Sequence, residues 1–139
     1  MASRRDHALG VMRRLADERL QQEAQGLGTL RARIARLEAD RTRTLQRLAD
    51  EAHVGGLDTA PYVGAFVRAM RAEEARLAAE AQRLERLAAE QQDRVLERFR
   101  EVQTYGKLAE TEAARQDDER ARAETAALAE AALNRWRRG

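Results

Sequence analysis

His53-Val54-Gly55-Gly56-Leu57-Asp58-Thr59-Ala60-Pro61 is the one cluster of helix breakers in the chain. Gly55-Gly56 can end a helix, Asp58 or Thr59 can cap the next, and Pro61 fits a first turn, where no amide hydrogen bond is needed. On either side the sequence reads as uninterrupted helix. The stretch therefore predicts a hairpin: helix one over about 5–52, a turn over 53–60, and helix two over about 61–137.

Composition agrees. The chain has 139 residues, enough for one domain. Charged residues make up 36% and aromatics 4%, with one Pro, and this combination points to long helices or a coiled coil rather than a globular core. With no Cys, a disulfide scaffold and a thiol enzyme are excluded. The 26 basic and 24 acidic residues leave a net charge of +2, which gives little reason to expect a nucleic-acid partner. No apolar stretch is long enough to span a membrane, and residues 1–10 contain no signal-peptide-like apolar run. The expected compartment is the cytoplasm, without membrane insertion.

Apolar spacing supports the hairpin on each side of the breakers. In helix one a heptad register passes through Leu9, Ala16, Leu20, Leu27, Leu30, Ile34, Leu37 and Leu48, with polar exceptions at Arg13, Glu23, Arg41, Thr44 and Glu51. In helix two it passes through Val63, Val67, Met70, Leu77, Ala81, Leu84, Ala88, Val95, Val102, Tyr105 and Ala109, with exceptions at Glu74, Gln91 and Arg98. Alternating steps of three and four mark a narrow seam that winds slowly, the coiled-coil signature. The fold class is all-α: a long two-helix antiparallel coiled-coil hairpin with unequal helices and an overhanging C-terminal helix.

The shortest turn aligns residues whose numbers sum to about 111, with Leu48 on Val63, Ile34 on Leu77 and Leu27 on Leu84. A shift of one heptad, to about 118, places Ile34 on Leu84 and Arg13 on Tyr105. In the first alignment helix one starts near Tyr105, so residues from about Gly106 onward have no intramolecular partner. The next register positions, Glu112, Gln116 and Glu119, are polar, as an overhang requires. Gly26 and Gly28 each cost about 1 kcal/mol relative to Ala inside a helix, so helix one is expected to fray or bend there.

Catalytic chemistry is not legible. His7 and His53 lie far apart in sequence and form no metal-ligand pair, and the glycines build no phosphate-binding loop. Carboxylate pairs such as Glu73-Glu74 lie on helix faces where little burial is available to shift a pKa. The chain reads as a non-enzyme without cofactor or metal. Three features suit binding instead: Tyr62 and Phe66 beside Met70 at the start of helix two, the acidic run Asp117-Asp118-Glu119, and the basic tip that carries Trp136. Trp and Arg are enriched at binding hot spots.

Three regions of helix two resemble FliJ, the small coiled-coil component of the bacterial flagellar type III export apparatus. Phe99-Arg100-Glu101-Val102-Gln103-Thr104-Tyr105 is similar to that family's charged run ending in an aromatic. Further on, Arg122, Glu124 and Glu130 match the family's motif of Arg-x-Glu/Asp-Gln-x-x-x-Asp-Glu type, with Leu128 at a free position; Thr125 and Ala129 replace its usual Gln and Asp. Phe66 and Leu77, with Met70 and Glu73 between them, resemble the family's surface face at the start of helix two. The resemblance implies a stalk protein that binds the hexameric flagellar export ATPase, contacts the export gate FlhA and recycles export chaperones at the inner membrane. It further implies gate contacts through Phe66, Met70, Glu73 and Leu77, and ATPase contacts through Arg122, Glu124, Leu128, Glu130 and Trp136.

An alternative from another class is a generic coiled-coil scaffold or adaptor. A stalk is expected to be monomeric when free, whereas a scaffold is expected to dimerise through its seams.

Overall fold

The computed structural model describes residues 4–51 and 60–139. Two α-helices account for nearly all of them: α1, Arg4–Glu51, and α2, Ala60–Arg138. They pack antiparallel: Arg41 meets Glu74, and Glu23, earlier in α1, meets Gln91, later in α2. The expected turn over 53–60 lies outside the described residues apart from Ala60, which is already helical. Asp6 in the first turn of α1 and Arg135, Arg137 and Arg138 in the last turn of α2 complement the helix dipoles.

The chain divides into two units: Met1–Leu20 with Glu97–Gly139, and Gln21–Leu96. In the second unit the core is Leu27, Leu77, Ala81 and Leu84, with Leu84 wholly buried. All four are seam positions predicted from the spacing. In the first unit Ala16 is the buried apolar residue, and Glu112 is also buried.

Seam pairing corrects the favoured alignment. Within the second unit Arg41 bonds Glu74, Gln91 bonds Glu23, and Arg94 pairs with Glu23; these residue numbers sum to 115, 114 and 117. Within the first unit Arg5 pairs with Glu112, a sum of 117. The alignment is the shifted one, and the sum of 111 fails. At 111, Glu112 would lie past the start of α1; the shift sets it beside Arg5, where a buried charge is tolerated because it is paired.

The same shift moves the start of the overhang. Ala109 and Gln116 are half-buried and Glu112 is 6% exposed, so helix one covers α2 beyond Gly106. Gln116 donates a hydrogen bond to Asp6. Exposure is continuous only from Asp117. The expectation that residues from Gly106 onward lack an intramolecular partner is overturned.

α1 also runs unbroken through Gly26 and Gly28, contrary to the expected fraying. At Gly26 a Cβ would stand 3.1 Å from Gln91 Nε2, so the missing side chain leaves room for a close approach of the helices.

Candidate functional site

In the second unit α2 presents the residues expected to meet the export gate. Phe66, Met70 and Glu73 are half-buried, placed on or beside the seam by their register. The Arg47 guanidinium lies over the Phe66 ring, 5.8 Å from its centroid, a cation–π arrangement that leaves part of the ring accessible. Met70, Glu73 and Leu77 line one open groove of about 360 Å³ with Asp40, Arg43, Thr44, Arg47 and Arg76. Leu77 is only 4% exposed and is therefore a core residue that forms the groove floor. Phe66 lines a neighbouring groove with Glu51, Tyr62 and Val63.

Electrostatics fix this groove's rim. Glu73 accepts two hydrogen bonds from Arg76, at 3.0 and 2.5 Å. That hydrogen bonding holds the Glu73 carboxyl below its ordinary value and raises Arg76. Arg43 bonds Asp40 in the same way along α1. The arginines Arg43, Arg47 and Arg76 were not singled out from sequence. In a chain this rich in Arg they carry no distinguishing signal until the alignment is known; at the shifted alignment Arg47 falls opposite Met70.

In the first unit the residues expected to meet the ATPase all lie on the exposed end of α2. Every residue from Asp117 to the end is exposed, with Leu128 at 72% and Trp136 at 80%. At 3.6 residues per turn, Leu128, Trp136 and Arg122 share one broad face with Ala121, Thr125 and Ala132. Glu124 sits at the margin of that face, and Glu130 lies on the other side. The predicted set is thus split: Arg122, Leu128 and Trp136 stand together, and Glu130 does not join them.

Where the overhang begins, charges are concentrated. Glu112 accepts hydrogen bonds from Arg115 at 3.1 and 2.6 Å and pairs with Arg5 at 3.7 Å. The hydrogen bonds from Arg115, followed by the charges of Arg115 and Arg5, keep the Glu112 carboxyl below its ordinary value despite burial, and Arg115 is raised. Arg115 also bonds Glu119. No group of three or more potential metal ligands occurs among the described residues, and no described helix is long and apolar enough to cross a membrane.

No family model matches the chain, nor does any curated protein or solved structure.

Proposed function

We propose that this chain is a stalk component of a bacterial flagellar type III protein export apparatus, acting by binding and not by catalysis. The observation that supports the reading is the free end of α2: a continuous helix, exposed from Asp117 onward, that continues past its hairpin partner and carries Leu128 and Trp136 on one face. An exposed apolar face of this kind marks an interaction surface. The resemblance supplies the partner: this end would enter the export ATPase ring, while the groove formed by Met70 and Glu73, together with Phe66, would meet the gate FlhA. Export chaperones would engage the same protein in transit, at the cytoplasmic side of the inner membrane.

The test is a titration of the export ATPase of the same organism, following ATP hydrolysis against the ratio of this protein to ATPase. Stimulation that saturates near one chain per hexamer is the expected result. A well-folded protein that neither binds nor stimulates would sink the stalk reading and leave a coiled-coil adaptor.

A further inference from the structure

The end of α2, in the first unit, sorts charge and apolar surface in two directions at once. Residues 125–138 make about 21 Å of helix, every residue of it exposed. At about 100° per residue, an uncharged arc of about 160° runs around this stretch from Leu128 to Ala126. Trp136 stands at its middle, and Ala129, Ala132 and Leu133 lie between. Arg135 and Arg137 fall just outside its two edges. Charge is also segregated along the helix. Residues 125–138 hold three arginines and one carboxylate, Glu130, whereas 117–124 hold four carboxylates and two arginines. None of Arg135, Arg137 and Arg138 pairs with a carboxylate among the described residues.

We propose that this end of α2 lies flat on an anionic lipid bilayer, with Trp136 and the two leucines seated at the headgroup boundary and the arginines on lipid phosphates. A helix that lies in a membrane interface has this build: a broad apolar face carrying Trp and Leu, low overall hydrophobicity, and Arg outside the face. The Trp ring is apolar while its N–H stays wet, which suits it to that boundary. Arg135 and Arg137 can lay their stems along the edges of the face and extend their guanidiniums to phosphates. Another helix fits less well. The coiled-coil register continues through Ala123, Ala126, Glu130, Leu133 and Arg137, so a partner on that seam would bury a carboxylate and a guanidinium. The apolar arc is centred about 100° away from that seam and is broader than a coiled-coil stripe. A nucleic acid would leave the leucines in water, and three arginines supply only a small phosphate term. The sign of the lipid follows from the charges. The basic tip is attracted to anionic headgroups, and the net acidic stretch 117–124 is repelled, so the contact stops near residue 125. This contact needs no ATPase and so goes beyond the stalk reading. Because it covers Leu128 and Trp136, the bilayer competes with any partner that takes the same end.

Trp136 is the chain's one tryptophan, so its fluorescence reads this end alone. The full chain is titrated with vesicles of phosphatidylcholine carrying phosphatidylglycerol at about one lipid in three, and with vesicles of phosphatidylcholine alone. The expected result is emission at shorter wavelength and co-sedimentation with the anionic vesicles only, both weakening as salt rises. Changing Arg137→Glu and Arg138→Glu together is expected to weaken binding at least about tenfold. Changing Leu128→Ser and Leu133→Ser together, which leaves the charge alone, is expected to weaken it at least about fivefold. Helicity by circular dichroism without lipid stays unchanged in both variants. No emission shift and no co-sedimentation overturns the proposal. So does equal binding to the two kinds of vesicle, and so does binding indifferent to the serine changes, which would be attraction by charge alone. An equal emission shift with heparin, a soluble polyanion, also overturns it and gives the tip to a polyanion instead. No ATPase is present in these assays, so their failure is distinct from failure of the stalk reading.

Discussion

Arg41 Nε lies 2.6 Å from Glu74 Oε1, joining two seam positions of α1 and α2 that both interrupt an apolar stripe. Each residue alone looks like a defect. Together they bridge the two helices across the seam. The pair is partly exposed, so its net contribution is modest, on the order of 1 kcal/mol. Replacing one partner costs more than replacing both. Glu74→Ala is expected to lower stability to urea by about 1–2 kcal/mol. The double change Arg41→Leu with Glu74→Leu is expected to be as stable as the parent or more so. Urea melts of the three proteins in parallel check both expectations; a double variant less stable than Glu74→Ala would show that the pair itself stabilises the hairpin.

Two glycines two positions apart in α1 make a matched test of packing. At Gly28 an added methyl meets nothing within 4 Å, so Gly28→Ala should gain close to the full helix-propensity difference of about 1 kcal/mol. At Gly26 the methyl would press on Gln91 Nε2 at 3.1 Å. That amide donates to the Glu23 carbonyl at 2.8 Å and to the Glu23 carboxylate at 2.7 Å, so it is not free to retreat. Gly26→Ala should therefore gain clearly less than Gly28→Ala, or lose stability. Thermal melts of the two variants in parallel decide it; equal gains would mean that Gln91 yields without cost.

The hairpin and the five buried apolar positions, Ala16, Leu27, Leu77, Ala81 and Leu84, were legible because they rest on local facts: a cluster of breakers in the sequence and a stripe of period three and four. The alignment was not, because a heptad repeat is by construction similar to itself after a seven-residue slide. The polar exceptions Glu23, Arg41, Glu74 and Gln91 do not break the tie, because they pair at sums of 115 and 114, midway between the two alignments. The error then propagated: with the wrong alignment, Glu112 read as overhang, although Arg5 and Arg115 bond it at a buried position. The groove shared by Met70, Glu73, Arg47 and Arg76 was hidden for the same reason, because it needs residues from both helices.

Acid should loosen the first unit through Glu112. Its folded-state carboxyl is held below the ordinary value by hydrogen bonds from Arg115 and by the charges of Arg115 and Arg5. A depressed folded pKa stabilises the fold above the unfolded value, about 4.3 for Glu, and that contribution is lost as pH falls through the folded value. Melting followed from pH 7 to pH 3 should show a decline below about pH 4.3 that Glu112→Gln makes shallower. At neutral pH the same variant should be less stable than the parent, since it replaces a charged acceptor with a neutral one. An identical acid decline in both proteins would assign the effect to other carboxylates.

Truncation separates the hairpin from its free end. Removing everything after Gln116 deletes only exposed residues, so the melting temperature should stay nearly unchanged. Removing everything after Tyr105 also deletes Ala109, Glu112 and Gln116, and with them the Arg5–Glu112 pair and the bond to Asp6. The melting temperature should fall, and the start of α1 should lose protection from hydrogen exchange, because residues 4–9 then have no helix to pack on. Both truncations should abolish binding to the export ATPase under the stalk reading, and only the first does so without disturbing the fold. A large loss of stability on cutting after Gln116 would mean that residues 117–138 are packed in solution.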